Sequence, residues 1–181
     1  VNGIIAVGMT LIIISGGIDL SIGSLMAVSG MVGALVMGKL GMGVDAMLVG
    51  TAAGVLTGFV CGLLNGVMIA KLKLAPFIVT LGTMSIFRGV SYVMNDGQPY
   101  NVAEYGYLGN GVVAGIPVSI IIFAATAVLA FLALRYTKLG RYAYAIGSNR
   151  DAAFHAGINV DRNLIWIYTL TGLVTGIAAM I

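Results

Sequence analysis

Residues 46–70 read AMLVGTAAGVLTGFVCGLLNGVMIA, an uncharged run with glycine at positions 50, 54, 58, 62 and 66. At about 1.5 Å per residue this run makes a helix of roughly 38 Å, enough to cross a hydrocarbon core of about 30 Å. Small residues every fourth position form a ridge along which a second helix can pack backbone to backbone. Each step of four overshoots a full turn by about 40°, so the ridge winds and serves more than one neighbour. Helix packing accounts for the row; lining a substrate path is the alternative role.

The rest of the chain has the same character. Its 181 residues are 60% hydrophobic and 8% charged, whereas a soluble domain carries about 25% charged residues to solvate its surface. Lipid must cover most of this chain. The 27 glycines suit packed membrane helices, and no linker-like stretch divides the sequence, so residues 1–181 read as a single transmembrane domain. The lone Cys61 permits no disulfide framework and no zinc spacing. A net charge of +3 points to topology rather than to nucleic acid. The chain opens at Val1 and stops at Ile181, each inside an apolar stretch. Both ends read as cuts in a longer chain, and Val1–Ser15 lacks the basic start of a signal peptide.

Six apolar segments stand out, at 1–16, 20–38, 46–70, 76–94, 117–134 and 163–181. Residues 1–38 as one helix would run to about 57 Å, too long for one crossing, so Gly16-Gly17 before Asp19 reads as a break. Lys71 and Lys73 lie in one connection and Arg135, Lys138, Arg141, Arg150 and Arg162 in another, while 95–116 carries only Asp96 and Glu104. The positive-inside rule puts the two basic connections in the cytoplasm and 95–116 outside. The balanced turn around Lys39 and Asp45 then falls outside, and Asp19 toward the cytoplasm.

GGIDLSIGS at 16–24 is a polar island between two apolar helices. A carboxylate at membrane depth is a functional candidate. Asp19 also suits the N-cap of a helix beginning at Leu20, and broken helices of this kind build transporter binding sites. Translocation-path candidates are therefore Asp19 and Ser21, with Asn65, Thr80, Thr83 and Arg88 from later segments. For Asn65, Thr80 and Thr83 the plainer expectation is interhelical hydrogen bonding; for Arg88 it is snorkelling outward from the end of its helix. Pro76 suits the first turn of its helix. His155, with no second ligand near it in sequence, reads as a surface residue.

The stretch LGRYAYAIGSNRDAAFHAGI at 139–158 is too polar to span and too long for a simple connector. Ser148 or Asn149 can cap a short helix, with Asp151 in its first turn and Gly157 at its end. Ala152, Ala153 and Ala156 would give that helix a smooth face for another protein to grip. Gly147 and Gly157 would let the chain turn sharply at either end.

Three blocks, GGIDLSIGS, NGVMIAKLKLAPFIVTLGTMSIFRG and LGRYAYAIGSNRDAAFHAGINV, resemble the ribose/galactose/xylose-type permeases of ABC importers over essentially the whole chain. The resemblance implies an all-α, polytopic helical membrane protein of about ten spans, of which this chain would hold the second to the seventh. It implies a bacterial inner-membrane location and a cytoplasmic coupling loop at 135–162. By that likeness Gly147, Asn149, Ala152, Ala153 and Gly157 contact the ATPase. The implied partners are cytoplasmic ATP-binding subunits, an extracytoplasmic sugar-binding protein, a second permease copy and membrane lipid, without nucleic acid. The subunit would pass a monosaccharide, ribose-like as a first guess, and bind no cofactor, ATP and Mg belonging to the partner. No P-loop appears, so hydrolysis must lie elsewhere. An ion-coupled secondary transporter is the alternative, but it leaves 139–158 unexplained and calls for more buried carboxylates. An intramembrane enzyme would need a nucleophile with a base or a metal cluster, and one His and one Cys in separate segments do not supply it.

Overall fold

A computed structural model describes residues 1–41, 43–98, 100, 108–109 and 111–181; Glu104, assigned to the external segment, lies outside them. The helices are α1 (Asn2–Ile14), α2 (Ile22–Leu40), α3 (Val44–Lys71), α4 (Pro76–Val93), α5 (Val118–Tyr136), α6 (Lys138–Ser148), α7 (Arg150–His155) and α8 (Val160–Ala179). A two-residue antiparallel pair, β1 (Val112–Val113) with β2 (Ile116–Pro117), turns the chain into α5. Its turn residues Ala114 and Gly115 both have positive φ, which fits a tight hairpin.

Among the described residues four helices, α2, α3, α4 and α5, are long and apolar enough to cross a membrane. Two of the six apolar segments differ from these. The first forms a helix of 13 residues, about 20 Å long. The last, α8, carries Asp161, Arg162 and Asn163 in its first turn and buries Thr169, Thr171 and Thr175. It runs through the middle of the bundle, touching α1, α2, α3, α6 and α7. A helix face buried in protein has no lipid to satisfy, so it tolerates threonines that bond to neighbouring carbonyls. Thr171 does so across helices, its Oγ1 donating to Gly8 O at 3.1 Å.

The glycine ridge of α3 serves two partners in succession. A Cβ at Gly50 would stand 2.8 Å from Gly33 O, and one at Gly54 2.9 Å from Ser29 O, both on α2. At Gly58 the Cβ would stand 2.5 Å from Gly172 O, at Gly62 2.5 Å from Tyr168 O, and at Gly66 2.9 Å from Ile165 Cα, all on α8. Gly172 and Gly176 of α8 return the approach, against Gly62 and Val55 backbone. The 40° drift of the row thus carries it from one neighbour to the other. No side chain larger than hydrogen fits at these crossings.

The basic stretches gather at one end of the bundle. There Gly147 of α6 abuts Ile14 and Gly16 at the end of α1. There too Lys73 Nζ pairs with Asp161 at 2.6 and 2.8 Å, tying the α3–α4 turn to the start of α8. Lys73 holds a left-handed φ of 55°, a conformation an L-residue adopts at a cost. At the other end Gly38 meets Tyr100, and Gly109 lies against Ile181.

Candidate functional site

The break between α1 and α2 is a built structure. Gly16 adopts φ +76°, Gly16 N donates to Ile13 O at 3.0 Å and Gly17 N to Ile12 O at 2.9 Å. That pair of bonds is the Schellman stop, which needs glycine at its left-handed position. The chain then places Asp19, 6% exposed, and Ser21, fully buried, in the interior.

Asp19 is not the cap of the next helix. Helix α2 starts at Ile22, later than the sequence suggested, and its first residue is preceded by Ser21. Asp19 Oδ1 instead accepts from Ser21 N at 2.8 Å and Ser21 Oγ at 2.6 Å, a local turn that short acidic side chains favour. Ser21 Oγ in turn accepts from Asn65 Nδ2 of α3 at 2.9 Å. Tyr168 of α8 completes the arrangement, its hydroxyl donating to Ile18 O at 3.2 Å. The node therefore joins the α1–α2 break to both members of the glycine-packed pair. Asn65 is fully buried, and its Oδ1 is an acceptor with no protein donor.

Three of the six path candidates meet here and three do not. Asp19, Ser21 and Asn65 form one chain of hydrogen bonds. Thr80 and Thr83 are buried in α4, but their hydroxyls bond to carbonyls of their own helix, Pro76 O at 2.8 Å and Thr80 O at 3.4 Å. The interhelical bonding expected for them is replaced by this back-bonding, since a threonine in a helix finds the preceding turn within reach. Arg88 is exposed near the far end of α4 and lines a small cleft of about 190 Å³ with Ala27, Met31, Ser91 and Tyr92.

At the basic end, the 138–158 stretch forms two helices where one was expected. In α6 the Thr137 side chain accepts from Gly140 N, and Gly140, Ala143 and Ile146 face inward. The spacing of those residues was the signal for this amphipathic helix, and its polar composition hid it. Gly147 does not make a turn, because it lies within α6; it is needed because a Cβ there would strike Ile14 O. Asn149 caps α7, Oδ1 accepting from Ala152 N at 2.9 Å, with Asp151 in the first turn. Gly157, φ +82°, ends it by a second Schellman stop, with Ile158 N donating to Ala153 O at 3.1 Å and Gly157 N to Phe154 O at 3.0 Å.

The expected alanine face needs correction. Ala153 is 4% exposed and packs into the main apolar cluster with Ile146, Val160 and Ile167. A six-residue helix has room for one inward position, and Ala153 takes it. Ala152 stays exposed, and the prominent outward group is Phe154, 66% exposed, its ring edge-on to His155 at 5.7 Å. Clefts of about 450 and 580 Å³ flank the 157–159 turn, the first lined by Lys73, Arg150, Asp151, Asp161 and Phe154, the second by Lys138, Arg162 and Trp166. Sequence reading missed Phe154, Tyr168 and the Lys73–Asp161 tie. Only an exposed aromatic in a polar helix could have flagged the first.

The family described as branched-chain amino acid transport system / permease component matches residues 1–181. The ribose import permease protein RbsC of Bacillus subtilis (strain 168) is 44% identical over all of this chain and 56% of its own length. The D-allose transport system permease protein AlsC of Escherichia coli (strain K12) is 36% identical over all of the chain and 55% of its own. The L-arabinose transport system permease protein AraH of the same strain is 38% identical over 99% of the chain and 54% of its own. The chain thus spans little more than half the length of these relatives. No solved structure matches it.

Proposed function

The chain belongs to the family of branched-chain amino acid transport system permease components, and from that premise we propose that it is part of the translocation subunit of an ATP-driven sugar importer. It is a multi-pass protein of the bacterial inner membrane, with four helices suited to crossing. The observation that carries the reading is likeness along the whole chain to permeases named for ribose, allose and arabinose. A monosaccharide is accordingly the substrate class, received from an extracytoplasmic binding protein. The subunit holds no cofactor of its own; ATP and Mg sit on cytoplasmic ATPase partners, and a second permease copy closes the pathway.

The geometry supplies a mechanical route for that coupling. Phe154 and the two flanking clefts form an outward platform at the end that the positive-inside rule assigns to the cytoplasm. Ala153 fixes the platform to the bundle's apolar cluster, so a push on α7 does not dissipate in a loose loop. Gly147 passes displacement to the end of α1 by direct backbone contact, and the Asp19–Ser21–Asn65 chain passes it to α3. Close-packed elements of this kind move between discrete arrangements rather than deforming continuously.

The test is Phe154→Asp, reconstituted with its ATPase and binding protein in vesicles. Expected is a protein of normal abundance that no longer retains the ATPase, with ATP-dependent sugar uptake falling at least about tenfold, since an aromatic anchor at an interface contributes about 2 kcal/mol or more. Lys39→Glu, at the opposite end, should leave ATPase retention intact. Uptake that persists in Phe154→Asp and runs on an ion gradient without ATP would instead establish the secondary-transporter reading.

A further inference from the structure

The foot of α5 carries a second feature that translocation does not use. Arg135, in the last turn of α5, and Arg141, near the start of α6, line a cleft of about 420 Å³ with Phe131, Leu134 and Tyr144. The Arg135 guanidinium lies over two rings, 5.7 Å from the centroid of Phe131 and 5.7 Å from that of Tyr136. Those rings meet edge to face at 6.4 Å. Cation–π contact at such distances fixes the guanidinium without neutralising it. Among the described residues neither arginine lies within ion-pair distance of a carboxylate.

Beyond the cleft the surface of α5 stays apolar. Ala124, Val128, Phe131 and Arg135 fall on one stripe of α5, spaced by four and three. Along the same stripe Ile120, Ala124 and Val128 line an open groove of about 640 Å³ whose wall is almost wholly apolar. From Arg135 to Ala124 the stripe runs about 16 Å, close to one leaflet's share of a hydrocarbon core of about 30 Å. Thr126 is the only buried residue of α5, so the stripe faces the surroundings of the bundle.

We propose that Arg135 and Arg141 form the headgroup site of a bound anionic phospholipid, with an acyl chain lying in the Val128–Ala124 groove. Two uncompensated guanidiniums at the membrane edge match a phosphate diester by charge and by paired donor geometry. Tyr144, exposed beside them, sits at the depth where amphipathic rings favour the headgroup layer. The assignment requires only a membrane-embedded α5 and is independent of what the protein transports.

Native mass spectrometry of the protein released from mild detergent tests it, using phosphatidylglycerol and phosphatidylethanolamine of identical chains. Wild type should retain phosphatidylglycerol preferentially, and Arg135→Gln with Arg141→Gln should reduce that retention about tenfold or more. Lys substituted at both positions should keep part of the preference, and Lys71→Gln with Arg162→Gln, which removes equal charge from the same end, should keep all of it. Glycerol phosphate without acyl chains should not displace the lipid. Equal retention of the two lipids, an unaffected Gln variant or displacement by glycerol phosphate would overturn the proposal. So would absence of retained lipid together with crosslinking of Arg135→Cys to a second copy, which would assign the surface to protein.

Discussion

Helices α3 and α5 are both apolar enough to cross a membrane, yet their surroundings are opposite. In α3 ten residues are buried, among them every glycine of the 50–66 row. In α5 only Thr126 is buried. Hydropathy alone does not separate them, because lipid tails and protein interiors are equally dry. What separates them is side-chain volume along one stripe. Glycine at every fourth position of α3 lets α2 and α8 approach until backbones touch. The exposed face of α5 carries the bulky Ile120, Val128, Leu129 and Phe131, which hold a neighbouring backbone away and offer a surface that fluid chains can cover. In a membrane, association is driven by close packing rather than by escape from water.

Gly58→Leu is expected to have the largest effect, because the first added carbon would already stand 2.5 Å from Gly172 O. Backbone cannot yield as a flexible side chain does, so the cost should exceed the usual 1–3 kcal/mol or so of overpacking. Membrane accumulation and the melting temperature in detergent should both fall sharply. Normal levels of Gly58→Leu would break the comparison, since the ridge would then be incidental.

The node beside the ridge should give an intermediate effect. Asp19→Ala leaves the buried Ser21 N–H and hydroxyl without their acceptor, a loss of about 1–3 kcal/mol. Asp19→Asn keeps an oxygen in place and should recover most of that stability. Melting curves of the two variants at matched expression measure the difference. Should both variants lose uptake while only Asp19→Ala melts early, the charge itself serves transport.

The smallest effects belong to α5. Leu129 is 66% exposed, and Leu129→Ala should shift stability by no more than about 0.5 kcal/mol, as surface substitutions usually do. A detergent melt checks it. A loss of several degrees would show that a protein neighbour, rather than lipid, covers this helix.

How far the sequence could be read follows from the same physics. The break at Gly16-Gly17, the glycine ridge and the short helix capped by Asn149 were all legible, because each is governed by a local rule of backbone geometry or residue volume. The membrane class followed from charge content, since fifteen charges cannot solvate a surface of this size. Helix α6 was missed because its three inward residues, Gly140, Ala143 and Ile146, are interleaved with Arg and Tyr. Thr80 and Thr83 were assigned across helices because sequence does not show that their own carbonyls lie within reach.

What the tertiary structure alone decided is which partner each stripe meets. Only the assembled bundle shows that α8 is its centre, that Ala153 turns inward and Phe154 outward, and that Gly147 abuts the end of α1. Likewise, the local turn at residues 19 and 21 meets residues 65 and 168, both far from it in the chain, at one node. Local sequence sets turns, caps and the width of a helix face, because those depend on neighbours within a few residues. The orientation of a face depends on which distant backbones pack against it, and that is settled only when the helices close on one another.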